Sequence, residues 1–400
     1  MINQARLRDE LIPMRFQTLM IVAIWRGVAC GALVLALSVF FASPTAAQAT
    51  TAELLAALEV KEPLWLCGET VPLDHPQLVK RFELEMLLSL GNRPQVILWL
   101  KRSTRYFPYI EQALGETGLP DDLKYLAVAE SALRLHAGSR KGAMGVWQLM
   151  PDTARKYGLT VNARIDERRN LHLSTPAAMA YLIDLHRRFG SWGLSLAAYN
   201  MGEGGLEAEI LEQGINDFYR LYLPIETQRF IFRILAIKRI LEAPQHYGFD
   251  LPDHAFYPPD LYSTVRIDAM VELPLRLIAQ AAGTDFKTIK ELNPELRGHY
   301  LSAGTRLLNL PDPEQASFQA RLASLIEADA SIRSQRIYVV QKGDNLSTIA
   351  QKFDVPLAAL LIWNRIGSHQ VIHPGQRLVI YPGARERAEE WIDLDAEADG

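Results

Sequence analysis

Apolar residues recur along the first two-thirds of the chain at helical rather than alternating spacing. Between residues 76 and 117, Val79, Phe82, Leu87 and Leu88 carry one such pattern. Val96, Ile97, Leu98 and Leu100 carry a second, and residues 106–114 a third. These predict helices that form a collar on the domain that follows. Leu123, Leu126, Ala127 and Val128 make the next helix apolar on most sides, which predicts burial, with Asp121 or Asp122 as its cap. Tyr157-Gly158 predicts a helix end. Ser174-Thr175-Pro176 predicts a helix start with proline in the first turn, followed by Met179, Leu182, Ile183 and Leu185 at helical spacing. Gly202, Gly204 and Gly205 predict a turn, and Pro244 stops the last helix of this region.

Beyond residue 245 the pattern changes. Residues 246–260, rich in Pro, Asp and aromatics, read as a linker. Two segments then repeat the order strand, helix, helix, strand: residues 262–311 and residues 336–382. The fold class expected is therefore multidomain, a helical domain over residues 63–245 followed by two small α+β (βααβ) modules.

Both ends stand outside this plan. Arg6, Arg8, Arg15 and Arg26 precede an apolar run ending near Ala42, and Ala47-Gln48-Ala49 fits a small-x-small cleavage site. Residues 1–49 thus read as a secretory signal peptide, with an uncleaved membrane anchor as the alternative. Residues 385–400 are charged, acidic and aperiodic, so disorder is the default reading. Composition adds little: 49% hydrophobic, 22% charged and a net charge of −4 give no basic face for nucleic acid. Cys67 is the only cysteine after the leader, so no intramolecular disulfide forms, and Leu64, Trp65 and Leu66 beside it favour a packed thiol. His172 and His186 lack a second ligand at metal spacing, and no metal site or cofactor is expected. Arg164, Arg168 and Arg169 read as a solvated face, with a carboxylate-holding role as the alternative.

Candidate chemistry lies within residues 119–200. Glu130 ends the apolar helix. On the helix alone it reads as a helix-end Glu pointing into solvent; if it is buried instead, loss of water favours the protonated carboxyl, the way a protein keeps a carboxylic acid able to donate near neutral pH. Gly142 and Gly145 mark sharp turns or close approaches, and Trp147-Gln148 follows at once, an apolar plate beside an amide. Tyr199-Asn200 repeats that pairing. Each pair alone reads as ordinary core; the blocks together suit a sugar, whose CH face packs and whose hydroxyls or acetamido group hydrogen-bond.

Glu130-Ser131, the block Gly145-Val146-Trp147-Gln148 and Ala198-Tyr199-Asn200 resemble the three motifs of the lytic transglycosylase domain. Asp166-Glu167-Arg168-Arg169 and Leu223-Pro224-Ile225-Glu226-Thr227 resemble its membrane-bound lytic murein transglycosylase D branch. Residues 336–382 resemble a LysM module through Gly343-Asp344-Asn345-Leu346 and Ile362-Trp363-Asn364. Residues 262–311 read as a degenerate LysM-like copy, having Asp268-Ala269-Met270-Val271 in place of the Gly-Asp turn.

The resemblance implies a lysozyme-like catalytic domain that cleaves the bond between N-acetylmuramic acid and N-acetylglucosamine in peptidoglycan. Glu130 would serve as sole acid and base, leaving 1,6-anhydro ends. It implies Ser131, Met144, Gln148, Tyr199 and Asn200 as substrate-binding residues. Gly343, Asp344, Asn345, Leu346 and Asn364 would be the LysM glycan contacts. The partner is the peptidoglycan strand in the cell envelope, and the location periplasmic. Two departures stand out: Phe230 where the branch has a Tyr near the catalytic Glu, and Phe232 where it has a Pro, which predicts a more continuous helix. Two other readings remain: a lysozyme-type hydrolase, with Asp152 or Glu203 as second carboxylate, and a non-catalytic wall-binding protein.

Overall fold

A computed structural model describes residues 51–60, 62–311 and 315–381. The expected leader and the acidic tail lie outside the described residues. A helix α1 (Thr51–Leu58) precedes the hairpin β1 (Leu64–Leu66) and β2 (Glu69–Val71). The helices α2 (Pro76–Gly91), α3 (Arg93–Thr117), α4 (Lys124–Ser131), α5 (Pro151–Lys156), α6 (Leu171–Phe189), α7 (Trp192–Met201), α8 (Glu203–Gln213) and α9 (Ile225–Glu242) follow. The first domain is thus helical apart from one short hairpin. That hairpin turns at Cys67-Gly68 with φ of 54° and 80°, the pair of positive angles that a tight two-residue turn needs. Cys67 is buried there and its thiol is pushed up, by burial first and then by the charges of Asp122 and Glu69.

The collar is two helices rather than three. Asn92 caps α3 through Gln95 N–H, and α3 then runs unbroken past Pro108. In α2 the buried residues are Leu78, Phe82, Glu85, Met86, Ser89 and Leu90, whereas Leu87 and Leu88 stand exposed. α9 packs against α2, α4 and α7, and α6 against α7 and α3. α9 carries Phe230 and Phe232 fully buried and is one continuous helix, as the missing proline predicted.

Two helix starts differ from the expected ones. α6 begins at Leu171, capped by the Asn170 side chain, so Pro176 lies inside it. Proline cannot donate to the carbonyl four residues back, that of His172. The Tyr109 hydroxyl takes it instead, at 3.0 Å. Gly202, with φ of 92°, makes the turn into α8, but Gly204 and Gly205 belong to α8 itself.

The expected linker lies along α3: Arg105 Nε donates to Pro258 O at 2.8 Å and pairs with Asp260 at 3.1 Å. The first module comprises β3 (Ser263–Ala269), β4 (Leu273–Pro274), α10 (Leu275–Ala281), α11 (Phe286–Leu292), β5 (Tyr300–Leu301) and β6 (Gly304–Leu310), with β3 and β6 antiparallel from Ser263↔Leu310 to Ala269↔Gly304. A long helix α12 (Gln315–Gln335), which the sequence pattern did not suggest, adds Phe318 and Leu322 to its core. The second module comprises β7 (Ile337–Val339), α13 (Leu346–Lys352), α14 (Leu357–Asn364) and β8 (Arg377–Val379).

An asparagine clasp closes each module. Asn293 Nδ2 donates to Ile289 O (2.9 Å) and Asn309 O (2.8 Å), while its Oδ1 accepts from Asn309 N at 2.8 Å. Asn364 does the same with Leu360 O (2.9 Å), Val379 O (2.8 Å) and Val379 N (2.6 Å).

The first module is welded to the helical domain. Ile165 and Leu296 form an antiparallel bridge, Asp166 N donates to Glu295 O at 2.9 Å, and Arg297 N donates to Arg164 O at 2.8 Å. Asn170 Nδ2 donates to the buried Glu295 carboxylate at 2.9 Å. The Glu272 carboxylate pairs with Arg164 of the helical domain and with Arg365 of the second module, the latter at 2.9 Å.

Candidate active site

Glu130 is the last carboxylate of α4, whose C-terminus is forced to stop. Ala132 and Leu133 both take left-handed angles, φ of 55° and 59°, without being glycine. Such backbone costs energy and persists where surrounding structure fixes it; here Arg102 Nη1 donates to Ala132 O at 3.0 Å. Glu130 retains some accessible surface, yet protein surrounds it densely and burial dominates its chemistry. Its pKa rises from 4.5 to about 8, through burial first, against the Arg233 charge that lowers it and with the Glu226 charge that raises it. Among the described residues none hydrogen-bonds to its carboxyl.

Arg233 does not face Glu130 unencumbered. Glu85 of the collar, buried, accepts from Arg233 Nε at 3.3 Å and pairs with Arg229. The hairpin contributes too: the Glu69 carboxylate accepts from Trp192 N (2.7 Å) and Gly193 N (3.3 Å), the free amides at the start of α7. That helix carries Tyr199 and Asn200 at its other end.

The loop between α4 and α5 is held by Arg168. Its Nε and Nη2 grip Asp166 at 2.8 and 2.9 Å, and its Nη1 donates to Gly142 O (2.7 Å) and Leu149 O (2.9 Å). Arg168 is buried, so the expected solvated face is wrong for this residue: it is the loop's anchor. Gly145 lies so close that a Cβ would occupy the space of the Arg168 carbonyl, and its φ is 83°. Only glycine fits there.

Within this loop Trp147 is fully buried and donates from Nε1 to Thr175 Oγ1 at 3.0 Å. The expected sugar plate is therefore a core residue; an indole N–H with a buried partner gains more from packing than from exposure. Gln148 adopts φ of 48°, and both its amide hydrogens are spent, on Ala137 O (3.0 Å) and Gly145 O (2.8 Å). Met144 is partly buried and packs on Gly138. Tyr199 donates to Trp147 O at 2.6 Å and its phenol is raised by burial first and then by the Glu130 charge, which brings the second and third motifs together beside the acid. Asn200 Oδ1 accepts from Thr227 Oγ1 at 2.9 Å.

Ser131 is buried and its hydroxyl donates to Ala127 O at 3.0 Å. This bond fixes the helix end beside Glu130. Asp152 is fully exposed and pairs with Arg155. Glu203 accepts from Tyr181 at 3.0 Å, within a row of rings Tyr157, Tyr181 and Tyr199 spaced 5.5 and 5.3 Å. Neither acts on Glu130. The carboxylate that does is Glu226, an exposed residue in the first turn of α9. Its place beside Thr227, the partner of Asn200, was the one available sequence signal.

In the second module Asp344 accepts from Tyr338 Oη and Gln341 N, both at 2.7 Å, which closes the turn at Gly343, φ 94°. Asn345 caps α13 in a reciprocal box with Thr348. The Asn364 amide is committed to its clasp, whereas Gly343 and Asn345 of the turn stand exposed.

Three family models match the chain: "Transglycosylase SLT domain" at residues 108–221, "Lytic transglycosylase MltD, LysM-like domain" at 262–326 and "LysM domain" at 338–380. The membrane-bound lytic murein transglycosylase D of Escherichia coli strain K12 is 31% identical over 297 residues, 71% of this chain and 65% of that protein. The chain thus spans just under two-thirds of the relative's length. Among solved structures, an inactive mutant of the lytic transglycosylase Slt from Pseudomonas aeruginosa is 25% identical, covering 38% of this chain and 26% of that one, at a TM-score of 0.27. The 70 kDa soluble lytic transglycosylase of Escherichia coli is 18% identical, covering 42% and 31%, at 0.32. With an SLT domain, an MltD-type LysM-like domain and a LysM domain in that order, the chain has the domain set of a lytic transglycosylase and is similar to the membrane-bound lytic murein transglycosylase D.

Proposed function

We propose that this chain is a lytic transglycosylase of the cell envelope that cuts peptidoglycan between N-acetylmuramic acid and N-acetylglucosamine. The observation that carries the reading is Glu130, a carboxyl raised to about 8 by burial and free of hydrogen bonds from the described residues. Such a group holds its proton at neutral pH and can give it to the departing glycosidic oxygen. The resulting carboxylate then takes the proton of the sugar's own 6-hydroxyl as that oxygen closes onto C1. One bond breaks, one forms, and no water enters. In this reading Gln148, Tyr199, Asn200 and Met144 would position the sugars, with Tyr199 close enough for the Glu130 charge to act on its phenol. The turn 343–346 supplies a second, weaker hold on the strand.

A hydrolase on the same fold needs a second carboxylate to activate water. Asp152 and Glu203 are unsuited, which leaves Glu226 as the residue that reading would use.

Mass spectrometry of products from residues 50–400 separates the two. Products one water lighter than hydrolytic fragments support the transglycosylase; reducing-end fragments alone overturn it. Glu130→Gln keeps shape but cannot titrate, and turnover should fall by about 10²–10⁴-fold or more.

A further inference from the structure

Four basic side chains meet where the first module is welded to the helical domain. Arg169 and His136 come from the helical domain, Lys290 and Arg297 from the module. The weld brings them together: Arg297 N donates to Arg164 O, and Lys290 Nζ donates to the carbonyls of Leu296 and Gly298, on either side of Arg297. Their charges act on one another, Arg169 on both Lys290 and His136, and Arg297 on Arg169 and Lys290.

The acids nearby, Asp166, Glu291 and Glu295, act on them but are engaged by other partners. Asp166 spends both oxygens on Arg168, and Arg169 Nε stays 3.9 Å from it, buried and without a hydrogen-bond partner. Glu295 accepts from Asn170, and Glu291 pairs with Lys287 at 3.6 Å. His136 and Arg297 are exposed, so the cluster opens to solvent. It also lies beside the loop that approaches Glu130: Ala137, next to His136, accepts from Gly145 N and Gln148 Nε2, and Arg168, next to Arg169, anchors the same loop.

Resting on the reading above, we propose that Arg169, Lys290, Arg297 and His136 form a carboxylate subsite, shared between the helical domain and the first module, for the peptide stem of a peptidoglycan strand. A stripped glycan carries one lactyl carboxylate on each N-acetylmuramic acid, held close to the ring, whereas a stem peptide adds several carboxylates that reach farther, which suits the three cations Arg169, Lys290 and Arg297 beside the His136 imidazole. Guanidinium and ammonium groups at a partly buried site bind such groups by charge-assisted hydrogen bonds. The first module is then part of the substrate site.

The test measures binding by the full chain carrying Glu130→Gln, so that no turnover intervenes. The probes are soluble glycan strands with their peptides and the same strands stripped of peptide by an amidase. Arg169→Gln, Lys290→Gln and Arg297→Gln are each added. Arg297 reaches the weld through its backbone, so its variant keeps the fold. The expected result is preference for peptide-bearing strands, with the affinity ratio between the two probes falling about tenfold in each variant, the scale of one charged hydrogen bond. A ratio unchanged by the variants, or affinities that fall alike for both probes, would overturn the subsite. The product masses of the active protein test the reaction separately, so either idea can fail alone.

Discussion

At the scale of single residues, Glu130 makes its own contribution to how stability responds to pH. Its pKa is 4.5 when unfolded and about 8 when folded. Below pH 4.5 both states hold the proton and the residue is neutral to stability. Between 4.5 and 8 the unfolded chain loses the proton while the folded chain keeps it, so stability falls as pH rises. Above about 8 the full cost is present. The advantage in Tm of Glu130→Gln over wild type should therefore be near zero at pH 4.5, grow to about pH 8 and then level, as read by calorimetry. A constant offset would show that the carboxyl is not held protonated. The burial of Glu130 was only partly legible: a Glu at a helix end reads by itself as solvent-facing, and it was the two blocks at residues 142–151 and 197–204 that singled it out. The depth of Trp147 was left open because sequence gives a residue's type and not its surroundings: an indole suited to a sugar is equally suited to a core, where it lies.

At the scale of elements, the loop 142–149 depends on Arg168. A planar guanidinium is the group that can hold Asp166 with two donors and still reach two carbonyls. Arg168→Gln should unpair a buried carboxylate, at about 3–5 kcal/mol, seen as a lower Tm and a sharp loss of kcat/KM. Tyr109→Phe should cost about 1 kcal/mol, because it strips the hydroxyl from the carbonyl that Pro176 leaves free. Both devices explain what the pattern missed. Proline reads as a first-turn residue, and a run of arginines as a wet surface, when only local neighbours are visible. Their true partners are Tyr109, on another helix, and a loop some twenty residues upstream.

At the scale of the whole molecule, the repeat and the order of modules were legible, since each βααβ unit carries its own hydrophobic period. Their docking was not, because a weld made of backbone bonds and one buried carboxylate leaves no periodic trace. Glu295→Ala removes the acceptor for Asn170 and leaves a buried amide unpaired, a cost of about 1–3 kcal/mol. Glu295→Gln keeps an acceptor and should restore most of it. Equal loss of Tm in both variants would show that charge, not the hydrogen bond, secures the module.

The clasp has a consequence of its own for how such modules diverge in descent. Asn293 and Asn364 make the same three bonds, yet the turn Gly343-Asp344 has no counterpart in the first module, which has Asp268-Ala269 there. The closure of the unit and the turn 343–346 thus rest on separate residues. A copy that keeps its asparagine can lose that turn and remain folded. In the first module the clasp persists without that turn, and the module is instead hydrogen-bonded to the helical domain.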